Sequence, residues 1–281
     1  MITFQQIGYM GRLGNQMFQF ASTIGIAHKL GLEARFPIEN CFRLQGSGPF
    51  DSKVGRNMLV KCELLDCFEI NPIYFIPENH ISFETVYNES IFAYNTESEF
   101  IKDGTVLYGY FQTEKYFLDI RDIILSQFKF KDEFEKSALS YMKRIKREEE
   151  QIVSIHVRRG DYVMFPNHHP TCSKEYYTKA IETMREHVPL CKFLVFSDDV
   201  EWCRNEFKGE DFMICDLNSP YTELCLMSLC DHHIIANSSF SWWGSWLNKS
   251  NSKKTVAPSR WFGPAINKDV SDVYFTNTII I

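Results

Sequence analysis

From about residue 150 onward the chain alternates short apolar runs with helical patterns, and that alternation limits the fold more than any other feature. Residues 152–157 and 193–196 are β-branched or apolar runs of strand length, and residues 233–236 form a third. Between the first two, Ser173 stands where a helix cap belongs, and Tyr177, Ala180, Ile181 and Met184 fall on one helical face before Pro189 stops it. Residues 221–230 read as a helix, and another opens at Ser239 to Ser241 and runs to about Asn248. Strand and helix in strict alternation predict a right-handed parallel α/β unit.

The first half is less regular. Residues 3–7 read as a strand, followed by a turn punctuated by Gly8, Gly11 and Gly14. Met17, Phe20, Ala21, Ile24 and Ala27 then mark a helix ending near Gly31. Residues 37–104 mix Phe, Pro, Asn and Gly among short apolar runs, and no element is placed there. A helix through Phe134, Ala138, Tyr141, Met142 and Ile145 runs into the charged stretch 143–150, read as a solvated helix end before a domain junction. Two domains are therefore expected, 1–150 and 151–281, with no internal repeat and no low-complexity linker.

Composition narrows the class. Hydrophobic residues are 44% and charged residues 23% of 281, as in ordinary globular proteins. Lys plus Arg is 30 against 36 for Asp plus Glu, a net charge of −6, which argues against nucleic acid as a partner but allows a local basic pocket. No run of 18 apolar residues and no secretory signal is present. The nine cysteines include no C-x-x-C pair, so reduced, mostly buried thiols are expected, with no metal site. A cytoplasmic protein is expected, with peripheral contact at the inner membrane face allowed.

In open parallel sheets, ligands bind beyond the carboxyl ends of the strands, and three loops there carry chemistry. The first is His156-Val157-Arg158-Arg159-Gly160-Asp161. A guanidinium fork at a strand end suits a phosphate; alternatively the arginines pair with Asp161 and nearby acids. The second is Ser197-Asp198-Asp199, where a carboxylate suits ribose hydroxyls or the amino edge of guanine, or caps the helix opening toward Trp202. The third is Asn237-Ser238-Ser239-Phe240-Ser241-Trp242-Trp243-Gly244, a hydroxyl-rich turn into a helix, which is either an anion site or an ordinary cap with both tryptophans in the core. The chain has no G-x-x-x-x-G-K-[ST], no G-x-G-x-x-G in its first turn and no G-x-S-x-G. What remains is a nucleotide diphosphate held by arginine and a helix end, with no metal required.

Three blocks then match a known family. Gly11-Arg12-Leu13-Gly14-Asn15-Gln16-Met17-Phe18-Gln19-Phe20-Ala21, His156 through Tyr162 and Asn237 through Asn248 together resemble the α-1,2-fucosyltransferases of glycosyltransferase family 11. The resemblance implies an α/β, GT-B-like fold with two Rossmann-type domains facing a cleft. It implies inverting transfer of fucose from GDP-L-fucose to a β-galactoside, with no cofactor and no obligatory metal. It places Arg158 on the β-phosphate, with His156 and Asp161 shaping that loop. Ser197 and Asp198 would face the guanosine, and Asn237, Ser238, Ser239, Phe240 and Ser241 would line the diphosphate and fucose. Gly14, Asn15 and Gln16 would lie on the acceptor side near the reacting centre.

Arg158, Asp161 and Asn15 are the candidate catalytic residues. Asp161 is either the base or the group that orients Arg158, and Asn15 would orient a sugar hydroxyl. His28 is read as packing or surface, and His168 and His169 as exposed loop residues within reach of an acceptor. Acceptor choice is expected in loops 37–104 and 163–172. The competing readings are a GDP-sugar transferase of another linkage and a GDP-sugar-binding module without turnover.

Overall fold

The computed structural model describes residues 1–46, 50–51, 56–57 and 59–281, with residues 50, 51, 56 and 57 described by their backbone alone. The chain forms two units. The first holds Met1–Phe130 and Lys268–Phe275, the second Lys131–Asn267 and Thr276–Ile281. The division falls earlier than the boundary expected near 150, because the helix after Phe130 packs in the second unit, and a late segment returns to the first.

The first unit contains β1 (Ile2–Thr3), α1 (Leu13–Lys29), β2 (Ala34–Pro37), β3 (Phe50–Asp51), β4 (Arg56–Asn57), α2 (Leu64–Cys67), β5 (Phe75–Ile76), β6 (Thr85–Asn88), β7 (Thr105–Tyr108) and α3 (Arg121–Gln127). Five strands make a parallel sheet in the order β5-β2-β1-β7-β6, and β3 and β4 pair antiparallel apart from it. The strand expected over 3–7 is cut to two residues. Gly8 and Gly11 take φ of +90° and +93°, and the chain turns there instead of extending. Helix α1 is buried along nearly its whole length, with Phe20 stacked on Phe36 at 4.8 Å between ring centroids.

The second unit contains α4 (Asp132–Ile145), β8 (Gln151–Val157), α5 (Lys174–His187), β9 (Cys191–Ser197), α6 (Val200–Glu206), β10 (Phe212–Ile214), α7 (Pro220–Ser228), β11 (His232–Ile234), α8 (Ser239–Trp246), β12 (Thr255–Ala257) and β13 (Thr278–Ile280). Its six strands are all parallel, in the order β10-β9-β8-β11-β12-β13. Counted from β8 this is 3-2-1-4-5-6, the Rossmann order, and the direction of winding reverses between β8 and β11. Six of the seven β8 residues are buried, as expected for a strand covered on both faces. One face packs Tyr177, Ala180 and Met184 of α5 on Val153, Ile155 and Val195. Trp242, Trp243 and Trp246 of α8 are fully buried. A buried polar chain joins β8, β11 and the turn after α8: Ser154 meets His233 Nδ1 at 2.8 Å, and His233 Nε2 meets Asn248 Nδ2 at 2.8 Å. All nine cysteines are free, and seven are buried.

Candidate functional site

Ligands of a doubly wound sheet bind where the winding reverses, beyond the carboxyl ends of the two strands flanking that point. In the second unit those strands are β8 and β11, and the loops after them begin at Arg158 and Ile235. Two of the three motifs singled out from sequence therefore meet at one place, and the third follows β9, next to β8.

Arg158 is held from two sides. Its Nη1 lies 2.8 Å from Asp198 Oδ2, and its Nη2 bonds Asp161 Oδ1. The Tyr162 ring lies 5.2 Å from the guanidinium carbon. A guanidinium has five N–H donors, and the two carboxylates engage one on each terminal nitrogen. Burial would pull this guanidinium down, but Asp198 and Asp161 outweigh it and keep the charge in place. Arg159 turns the other way, with Nε 2.9 Å from Asp199 Oδ2 and its guanidinium 4.4 Å over the Trp202 ring. Both arginines are therefore paired with nearby acids, Arg159 with Asp199 and Arg158 with Asp161 and Asp198.

The carboxylates divide in the same way. Asp199 accepts from the Trp202 N–H at 3.1 Å and caps α6, while the Ser197 hydroxyl accepts from Asp199 N–H at 2.9 Å. Asp198 Oδ1 accepts from the Arg159 N–H at 2.8 Å, and its other oxygen holds Arg158. Gly160 is what lets it approach, since a Cβ there would lie 2.6 Å from Asp198 Oδ2. The expected guanosine-facing role of Ser197 and Asp198 thus shares its atoms with the scaffold of the loop.

After β11, Asn237 and Ser241 are scaffold. Asn237 Nδ2 donates to the Pro170 and Trp261 carbonyls at 2.9 and 3.0 Å, and Ser241 is fully buried with its hydroxyl on the Ser238 carbonyl. Ser238, the residue before α8, makes no capping bond with its side chain. The first turn of α8 therefore keeps the positive end of its dipole without a side-chain cap. Ser239 and Phe240 are half-buried there. The His156 ring lies 5.7 Å from Phe240, and its Nδ1 is buried with no hydrogen-bond partner among the described residues. Burial pushes this imidazole down to about 4, with Asp198 opposing and Arg158 adding to the shift, so it is neutral at physiological pH. Arg158, His156, Ser238, Ser239 and Phe240 are the expected donor-side residues that lie in the loops after β8 and β11 or at the strand end that leads into them.

Sequence reasoning passes over Glu223, in the first turn of α7. Burial pushes its carboxyl up to about 7, and the charge of nearby Asp198 adds to the rise. No signal marks it, because an acid in a first helical turn looks like an ordinary dipole partner. His169 is not a solvated loop residue, since it stacks on Tyr162 at 5.0 Å; His168 is exposed.

In the first unit the glycine-punctuated turn leads into α1. Gly14 is buried and Asn15 half-buried, and Asn15 Oδ1 accepts from Gln112 Nε2 at 2.9 Å. Gln16 corrects the expectation of an acceptor contact. It is fully buried, its Nε2 donates to the Lys61 carbonyl at 3.0 Å, and its Oε1 accepts from the Glu63 N–H at 2.7 Å. Of the loops expected to govern acceptor choice, residues 47–49, 52–55 and 58 lie outside the described residues.

The sequence profile of glycosyl transferase family 11 matches residues 82–278. The chain belongs to that family. Among its family 11 relatives, the alpha-1,2-colitosyltransferase of Escherichia coli is 31% identical over 270 residues, 90% of each chain. The O-antigen biosynthesis glycosyltransferase WbnK of Escherichia coli is 29% identical over 90% of this chain and 93% of its own. Galactoside alpha-(1,2)-fucosyltransferase 1 of Saimiri boliviensis boliviensis is 25% identical over 84% of this chain and 63% of its own. Among solved structures, the fucosyltransferase NodZ from Bradyrhizobium aligns with a TM-score of 0.51 at 11% identity, over 87% of this chain and 92% of that one. POFUT1 in complex with GDP-fucose aligns with a TM-score of 0.51 at 12% identity, over 91% and 97%. The family 11 chain thus has the α/β, GT-B-like fold expected of it, and it is a glycosyltransferase. Among the described residues, no helix is long and apolar enough to cross a membrane.

Proposed function

We propose that the protein transfers L-fucose from GDP-β-L-fucose to O2 of a terminal β-galactoside, with inversion at the fucose C1, in the assembly of a bacterial surface glycan. The observation that carries this reading is Arg158, clasped by Asp161 and Asp198 at the reversal of the second sheet, beside the uncapped first turn of α8. Relatives named for α-1,2 transfer and for O-antigen biosynthesis support the linkage and the setting. POFUT1, which shares the fold and was solved in complex with GDP-fucose, supports the donor.

As the bond from C1 to the diphosphate oxygen breaks, its electron pair stays on the leaving group, and negative charge grows on the β-phosphate. Donors already fixed at that position stabilise the transition state more than the ground state. Arg158 supplies the fixed charge and α8 supplies oriented N–H groups, so the reading requires neither a cofactor nor a metal. The acceptor O2 attacks the opposite face of C1 and gives its proton to a base. Asp161 is bonded to Arg158, which favours orienting that guanidinium over serving as the base.

A second reading rests on the 31% identity to the colitosyltransferase: the donor sugar is colitose, which lacks the 3-hydroxyl of fucose. Incubating the purified protein with GDP-fucose or GDP-colitose and a panel of β-galactosides, with and without EDTA, separates these readings by mass and proton NMR. An α-linked fucosyl group at O2, formed equally with EDTA, is expected. Transfer from GDP-colitose alone selects the second reading. GDP-fucose hydrolysis without transfer points to a different acceptor class, and absence of GDP binding overturns the donor site.

A further inference from the structure

Glu89 stands one residue beyond β6, and its carboxylate holds the loop that follows β7. Oε2 accepts from the Tyr110 N–H at 2.9 Å and Oε1 from the Phe111 N–H at 2.8 Å, while its own N–H donates to the Tyr108 carbonyl at 2.8 Å. Gly109 makes room for this, since a Cβ there would lie 2.4 Å from the Cβ of Glu89. Phe111 has a φ of +52°, a region bulky residues enter only when their surroundings force it. The forcing is visible on both sides of the residue. Its ring is fully buried against Phe4 and Tyr116, and its carbonyl accepts from Ser22 Oγ at 3.2 Å. The next residue, Gln112, donates to Asn15 Oδ1. The clamp joins the ends of β6 and β7, and the amide pair joins the segments that follow β1 and β7, where the winding of the first sheet reverses.

We propose that Glu89 is a positioning residue for sugar-acceptor recognition: by clamping Tyr110 and Phe111 it sets the strained turn that aims Gln112 at Asn15, and so fixes which way the Asn15 carboxamide faces a sugar hydroxyl. This rests on the acceptor-side role of Asn15 in the function proposed above. A carboxylate offers an acceptor oxygen to each of the two N–H groups; a carboxamide at this position would turn an NH2 toward one of them.

The test compares wild type with Glu89→Gln, Gln112→Ala and the double variant, and holds Glu89→Asp in reserve should Glu89→Gln not fold. Losing a hydrogen bond to a charged group predicts that amide exchange at residues 110–112 speeds up about tenfold in Glu89→Gln. The KM for the β-galactoside should rise by about the same factor, while the KM for GDP-fucose stays unchanged. Because the effect runs through Gln112, the two substitutions should be non-additive on acceptor KM. Unchanged exchange, parallel rises in donor and acceptor KM, or full additivity overturns the inference. If wild type transfers sugar to no β-galactoside, the proposed function fails, and exchange at Gln112 alone then decides the role of Glu89.

Discussion

Asp198 Oδ2 lies 2.8 Å from Arg158 Nη1, an ion pair that ties together the carboxyl ends of two adjacent strands, β8 and β9. With Asp161 on the other terminal nitrogen, the guanidinium plane is fixed before any ligand arrives. A lysine at this position would keep the charge but could not hold both carboxylates and still present a fork. Arg158→Lys is therefore expected to lower kcat/KM for GDP-fucose by about 10²–10³, the cost of losing one preorganised donor to a developing oxyanion. Steady-state kinetics checks this, and near-normal turnover would remove Arg158 from the β-phosphate.

The same geometry separates the two roles of Asp161. If it orients Arg158, Asp161→Asn lowers kcat/KM yet leaves the acidic limb of the pH–rate profile where it was. A base would take that limb away with it.

Gly160 makes a sharper prediction, because its side chain is absent for a reason. Gly160→Ala places a Cβ 2.6 Å from Asp198 Oδ2 and must move the carboxylate off Arg158. The variant should mimic Asp198→Asn in its donor KM, and combining the two should add little beyond either alone. Fully additive effects would separate Gly160 from the ion pair.

The raised carboxyl of Glu223 predicts that affinity for the donor proposed above depends on pH. Burial, helped by Asp198, raises its carboxyl to about 7 from the ordinary value near 4.5. A diphosphate binds better beside the neutral acid, so affinity for GDP-fucose should fall as pH rises from about 6 to about 8. Glu223→Gln should flatten that profile. The native state also binds the extra proton between 4.5 and 7, so this group's contribution to stability declines as pH rises through that window. Titration calorimetry with GDP-fucose across the range reads the first effect, and a pH-independent affinity would sink the assignment.

Gln16 belongs to the scaffold. Gln16→Ala leaves the Glu63 N–H and the Lys61 carbonyl without their partner inside the first unit. Each such loss costs about 1–3 kcal/mol, so a lowered urea midpoint is expected. A selective rise in acceptor KM with unchanged stability would instead return Gln16 to the site.

The second unit is legible in the sequence where its elements are long enough to show a period. Residues 152–157 lie inside β8, and Ser173 caps α5 as its position suggests, with its hydroxyl accepting from Tyr176 N–H. β10, β12 and β13 have three residues each, too few to show alternation, and the sequence does not announce them. The first unit is harder to read for the same reason, since β1 and β5 have two residues each. In the site, residue type points to Arg158 and the α8 turn. It cannot tell that Asn237, Ser241 and Gln16 spend their polar atoms within the scaffold, because that depends on partners that only the fold brings near. Phe111 is hidden more deeply: phenylalanine carries no mark of a positive φ, and the bonds from Glu89 and Ser22 that hold it appear only in the fold.

Lys268–Phe275 belongs to the first unit, and β13 follows it in the second. Asp272 in that stretch accepts from the Tyr94 N–H at 3.0 Å and pairs with Lys115 at 2.5 Å. No single cut therefore yields two self-sufficient halves. A fragment starting at residue 131 would carry a segment whose neighbours had been discarded, and one stopping at 267 would strip a strand from one sheet and a buttress from the other. Exchange of specificity between such enzymes by grafting must move two separate stretches of chain at once, which favours refinement of existing loops over the shuffling of whole halves.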